Sequence, residues 1–248
     1  MNCLLINNFF FLSISLQSFA QSGGPPMLTH GTGTPGNKHW EINTSFNTEI
    51  ANQSEFAVPL LDFNYGVKAQ TQLKFEIPYL IVKTENKNIS SSIGNAVIGV
   101  KHRFVEEERH FISFSVYPQI EFSFNKGGHT EYKLLTQFKK TIHRFVMCQE
   151  LGYIYVQQNP NYFMSGTLTG FKVSSQFEIM CELFLKKIIP INNPDELFNF
   201  GVRYELNKRF ILLASRGTQF IAEEKTERKT FFSFIGLQWL IEKHLKAK

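Results

Sequence analysis

Beyond residue 21 the chain has no continuous apolar run of the roughly 18 to 20 residues that a membrane helix requires. Cysteine is nearly absent: there are three, with no CxxC pair, which removes any cysteine framework for a metal. By strand parity Cys148 lies beside Arg144 and Glu150, and Cys181 beside Phe177, Ile179 and Leu183. The two then point to opposite faces and are not expected to form a disulfide. Catalytic signatures are missing as well, with no GxSxG, HExxH, P-loop or dinucleotide fingerprint in context. The glycines of HGTGTPG precede any strand and open no helix, so they do not read as a phosphate-binding loop. The seven His residues are scattered without metal-ligand spacing on a shared face, so neither metal nor cofactor is expected. Charge is sparse at 19% of residues. The excess of +5 is spread along the chain rather than clustered, so no nucleic-acid partner is expected.

What the sequence does hold is aromatic and apolar material, 26 Phe among 248 residues and 43% hydrophobic overall, a composition that favours strands. Residues 1–20 read as a secretory signal peptide, with an apolar centre at 9–16 and Ser18-Phe19-Ala20 before the cut, although no Lys or Arg occurs before Lys38. Cys3 lies too early to accept a lipoprotein lipid. Residues 21–38, rich in Gly, Pro and Thr, read as an extended periplasmic leader without alternation, and residues 39–248 as the barrel.

The stretch 55–82 organises the rest. It reads as two strands of about ten residues around a turn at 66–70, and in its second half Leu73, Phe75, Ile77 and Tyr79 alternate with Gln72, Lys74 and Glu76. Similar segments recur at about 39–47, 94–104, 112–123, 130–138, 144–156, 161–173, 176–187, 197–204, 209–215 and 230–241. In the last of these both faces are apolar and parity stays unassigned. Pro118 removes a ladder donor, so a bulge is expected there. Short turns alternate with longer polar loops, among them KTENKNISSS and RGTQFIAEEKTERK. Secreted, strand-built and lacking apolar helices, such a chain can cross a membrane only as a closed barrel. The expectation is an all-β transmembrane antiparallel barrel of about 12 strands, with short periplasmic turns and longer extracellular loops. A soluble secreted sandwich or lipocalin-like barrel also alternates, but its strands average about five to six residues.

If the apolar faces meet lipid, the opposite parity lines the lumen. The candidates are Glu41, Asp62, Asn64, Lys74, Glu76, Lys101, Arg103, Glu121, Arg144, Glu150, Arg203 and Glu205, with Tyr117 and Gln119 among them. Cross-strand pairs such as Arg103 with Glu121 are geometrically open, and a buried Asp62 must find a partner, Lys74 being nearest. The charges either tune a pore or brace a narrow lumen as an ion-pair ladder. Trp40, Tyr65, Tyr79, Tyr153, Tyr155, Tyr162, Tyr204 and Trp239, near strand ends, suit aromatic girdles. The functional expectation is passive uptake of small molecules, hydrophobic or aromatic ones included. Outer-membrane lipid, a small solute and the barrel-assembly machinery are the expected partners. A structural or adhesion barrel with a closed lumen, and a rim-active enzyme of the lipid A modifier or phospholipase type, are the alternatives.

PPMLTHGTGTPGNKHWEINTSF, PLLDFNYGVKAQTQLKFEIPYL and IGNAVIGVKHRF resemble the outer-membrane transporter family named for the MetA pathway of phenol degradation. The resemblance covers roughly residues 25–125 and is looser beyond. It implies an outer-membrane barrel of a Gram-negative bacterium, some members being linked to uptake of aromatic or other hydrophobic compounds. It brings no functional residues.

Overall fold

The computed structural model describes residues 25–51, 53–125, 128–189, 193–222 and 227–242; residues 1–20, expected as a signal peptide, lie outside them. Thirteen strands follow one another: β1 (Trp40–Ile50), β2 (Ser54–Lys68), β3 (Thr71–Lys83), β4 (Ile89–Ile93), β5 (Ala96–Val105), β6 (Ser113–Phe122), β7 (Glu131–Ile142), β8 (Phe145–Val156), β9 (Tyr162–Lys172), β10 (Phe177–Ile188), β11 (Asp195–Glu205), β12 (Phe210–Ala222) and β13 (Glu227–Ile241). All pairings are antiparallel. β13 returns to β1 from Trp40↔Ile241 to Ile50↔Phe231, so twelve strands close into a ring and β4 stands outside it on β3. Every ring strand has 10 to 15 residues, the length a tilted strand needs to cross a bilayer.

Alternation sorts the two faces. Leu73, Phe75, Ile98, Ile120, Met147, Phe200, Leu212 and Ile235 are exposed on the outside. Asn43, Asp62, Lys74, Lys101, Ser115, Gln137 and Glu150 are buried inside. Apolar outside and polar inside is the inverse of a soluble barrel and fits a lipid-facing wall. In β13 Phe231, Ile235, Leu237 and Trp239 face out, while Gln238 is buried within. Cys148 is buried and Cys181 exposed, and both are free. Aromatic pairs mark the two rims of the wall: Trp40–Tyr65 and Phe210–Trp239 at the end of the turns 69–70, 143–144 and 206–209 (the turn end), and Tyr132–Tyr155 and Tyr153–Phe163 at the opposite, loop end.

Three local expectations are corrected. Pro118 shifts no register: Gly99↔Gln119 and His102↔Val116 lie on one continuous ladder, which merely lacks partners for Val100 and Lys101. The irregularity in β5 falls between Arg103 and Val105. The stretch 216–229 is not a long loop. β12 and β13 stay paired through most of it, from Arg216↔Ser233 to Ala222↔Glu227. Part of the expected 83–92 loop is β4, because β5 pairs β3 only from Thr71 to Glu76 and leaves the edge from Tyr79 to Lys83 to be covered.

Candidate functional site

The lumen is occupied. Of residues 25–38, expected as a leader in the periplasm, 25–36 lie inside the barrel and Asn37 and Lys38 are exposed at its turn end; the expectation is corrected for 25–36. Thr29, Thr32 and Thr34 are each at most 1% exposed. An extended segment without a sheet partner must satisfy its backbone elsewhere, and the wall supplies what it needs. At the turn end Lys38 N donates to Gly66 O (2.6 Å), Gly66 N donates to His39 O (2.9 Å), and Thr34 Oγ1 donates to Ala69 O (2.7 Å). Gly66 is a requirement of this approach: a Cβ there would fall 1.6 Å from Gly36 O. Halfway up, Lys101 Nζ donates to Gly31 O (2.9 Å) and Gly33 O (3.5 Å). His30 Nδ1 lies 3.1 Å from a Glu150 carboxylate oxygen, and its ring meets Tyr117 edge-on at 5.4 Å. The Glu182 carboxylate accepts the amides of Leu28 and Thr29. Pro26 O accepts from Ser215 Oγ (2.8 Å) and Asn199 Nδ2 (3.4 Å).

Apolar packing holds the same segment. Met27 is buried with Val146, Cys148, Leu168 and Met180, so the lumen wall at β8–β10 is apolar where the leader presents Met27. Burying such a side chain contributes about 1.5–3 kcal/mol. Thr and Gly alternate through residues 31–34, and these small groups let a chain pass through a lumen already furnished with side chains.

Around the leader the wall carries a connected polar network. Lys74 Nζ bridges Asp62 Oδ1 and Glu76 Oε2, at 2.7 Å each, and Asn43 Nδ2 donates to Asp62 Oδ2 at 3.0 Å. Gln72 donates to Asn64. Ser115 Oγ donates to Gln137 Oε1 (2.6 Å), and Gln137 Nε2 to Glu150 Oε2 (2.8 Å). Lys101 Nζ stands 4.7 Å over the Tyr117 ring. Higher up, Lys133 pairs with Glu121 and Glu131, Asn95 donates to Glu121, and Tyr162 donates to Glu131. Buried charges persist where partners surround them, as here.

The candidate residues separate by height. Glu41, Asp62, Asn64, Lys74, Lys101 and Glu150 are buried inside the barrel, Glu41 and Asn64 toward the turn end, where Glu41 accepts from Asn43. Glu76 and Glu121 lie above them and are partly exposed. Arg203 sits near the turn end, donating to Gln238 (3.0 Å) and lying 3.8 Å from Glu205. Arg103 pairs with Glu106 and reaches Ala69 O. It does not meet Glu121, because the register sets it opposite Ser115 and sets Glu121 opposite Val97. Arg144 is exposed in the turn between β7 and β8, outside the lumen. Tyr162 hydrogen-bonds Glu131 within the wall network instead of joining a girdle.

Sequence reasoning missed Gln137, Glu178, Glu182, Asn199 and Ser215, all buried inside. Parity could have found Glu178 and Glu182, which alternate with the outward Cys181. Nothing in the leader's composition signalled entry into the barrel.

Above Pro26 and Leu28 the lumen opens into a cavity of about 560 Å³, which reaches Glu49 and Glu55 at the loop ends of β1 and β2. Among the described residues no group of three or more His, Cys, Asp or Glu is placed to hold a metal ion, and no helix is long and apolar enough to cross a membrane.

Comparison with known proteins adds the fold and little more. No family model matches, and no curated protein matches by sequence. Among solved structures the chain resembles an outer membrane channel from Pseudomonas putida F1 (10% identity, TM-score 0.63, 82% of this chain and 94% of that one). It also resembles the NanC porin (11%, 0.60, 80% and 98%) and the CymD monoaromatic hydrocarbon channel (6%, 0.54, 84% and 90%). At such identities the likeness is one of architecture: this is the closed antiparallel barrel of outer-membrane channels.

Proposed function

We propose that the chain is a passive channel of the Gram-negative outer membrane for small molecules, hydrophobic or aromatic ones among them, whose lumen is constricted by its own leader. In this reading residues 1–20 are the signal peptide, the turn end faces the periplasm, and the loop end faces outward. The wall contacts lipid, and barrel-assembly machinery inserts it. The observation that carries the reading is the leader: a closed, polar-lined ring is filled by a separable segment rather than by its own side chains alone. The CymD hydrocarbon channel shares the architecture, and the resemblance to the phenol-degradation transporter family points to the same class of solute.

A closed structural barrel is the competing reading, favoured by the dense buried network around Lys101 and Glu150. Planar-bilayer recording separates the two. The channel reading expects small conductance steps from the full mature chain. It expects larger steps when residues 25–34 are deleted, or when Lys101→Met releases Gly31 and Gly33. A refolded, heat-modifiable barrel that stays silent in all three forms is a closed barrel, and the channel reading fails.

A further inference from the structure

The cavity above the leader has two chemistries. Phe232, Phe234, Leu60, Leu80 and Val97 give it apolar walls, while its polar lining contains no Lys or Arg among the described residues. Glu76 and Glu121, lower in that lining, are already engaged by Lys74 and Lys133. Glu49 and Glu55 are different. They stand directly opposite each other across β1 and β2, and Phe232 is the other cross-strand neighbour of Glu49. Directly opposed like charges repel, so this hairpin end carries a standing cost that a bound cation would relieve.

A second, independent observation lies in the same cavity. Thr230 lines it, is 1% exposed, and its hydroxyl oxygen has no partner; the side-chain oxygen of Asn47, also in the lining, has none either. A buried polar oxygen without a partner is destabilising and calls for an explanation. These oxygens and the two carboxylates form a set of acceptors. Its chemical complement is a group with several donors and no acceptor, which describes an ammonium ion. A carboxylate would meet like charge there, and a pure hydrocarbon would leave the oxygens unpartnered.

We infer that this vestibule binds a small primary ammonium cation carrying an apolar, single-ring body. The ammonium group sits between Glu49 and Glu55 on the Thr230 side, and the ring packs against Phe232 and Phe234, the latter opposite Asn47. The volume suits a ligand of that size, and the aromatic walls favour a cation as well as a ring. The inference rests on the proposed function only for which side of the membrane the cavity faces.

Titration calorimetry on the refolded full mature chain in detergent tests it without requiring conductance. The probes are phenethylamine, 2-phenylethanol and phenylacetate at neutral pH. Phenethylamine is expected to bind about tenfold more tightly than the alcohol, the scale of a charge-assisted hydrogen bond, and phenylacetate not measurably. The Glu49→Gln/Glu55→Gln double variant should bring amine and alcohol to within about twofold, whereas Phe232→Ala weakens both alike. Heat-modifiable migration reports folding of each variant. Equal affinity for amine and alcohol in the parent chain overturns the inference, as does a preference that survives the double substitution. A barrel that binds the amine yet passes no current refutes the channel and leaves this site standing.

Discussion

Lys74 Nζ lies 2.7 Å from Asp62 Oδ1, a diagonal contact across the hairpin of β2 and β3, with both side chains at most 5% exposed. The register sets Lys74 opposite Asn64 and Asp62 opposite Glu76, so the lysine reaches two residues along the neighbouring strand and meets Glu76 on its own. One cation thus serves two carboxylates in the middle of the barrel. Removing it leaves an uncompensated buried charge, which typically costs about 3–5 kcal/mol. Lys74→Met should lower the temperature at which the folded band disappears in heat-modifiability gels, and Asp62→Asn in the same chain should recover part of the loss. If Lys74→Met melts with the parent, the bridge contributes nothing.

Gly66 has no side chain where Gly36 O arrives, and a methyl group cannot be fitted at 1.6 Å. Gly66→Ala is expected to dislodge the foot of the leader while leaving the strand pairing in place. Bilayer recordings should then show larger or more frequent steps than the parent. Unchanged traces would mean that the leader does not limit current.

Arg216 is exposed on the outer face of β12, opposite Phe200 on β11 and Ser233 on β13, within a wall that otherwise presents Leu212, Ile235 and Phe231. An arginine at mid-depth on the lipid face of a barrel costs about 2–4 kcal/mol. Arg216→Leu should therefore stabilise the folded barrel by an amount in that range, measured by denaturant unfolding in lipid vesicles. A loss of stability would place Arg216 against something other than lipid.

Glu107, in the turn between β5 and β6, accepts from Thr141 N and Thr141 Oγ1 at 2.7 Å each, and Lys139 stands 3.7 Å away. Burial pushes its carboxyl upward, but these hydrogen bonds and the nearby lysine outweigh it and hold it below the usual carboxylate range. A carboxyl depressed by folding stabilises the folded state above its unfolded value, and that stability is lost as pH falls through the folded value. Glu107→Gln should therefore melt below the parent at neutral pH, with the gap narrowing on acidification. A gap that persists or widens at acid pH contradicts this account.

The ring was legible in the sequence because period-2 alternation survives wherever one face meets lipid and the other does not. The segment 112–123, with Phe114, Val116 and Ile120 against Ser113, Ser115 and Tyr117, maps onto β6 almost residue for residue. The pairing of Asp62 with Lys74 followed from the same logic, because neighbours on one face of a hairpin can be read from spacing. What alternation cannot encode is contact between a strand and a segment that has no period. The leader's bonds to Glu182, Glu150 and Lys101 span separations of 68 to 154 residues, and no local pattern announces them. Arg103 and Glu121 went astray for a simpler reason: both face inward, but the register separates them by six positions along β5.

β4 stands apart from this closed wall. The ring strands use both of their edges, yet β4 pairs with β3 on one side and with no described strand on the other. That free edge is a place where another extended chain could add on. Its sequence, ISSSI, makes poor material for such growth, being five residues long, fully exposed and serine-rich at its centre. Copies of this protein crowded side by side thus meet, at β4, a poor backbone template for fibril growth, and the protection lies in the same short strand that covers the open edge of β3.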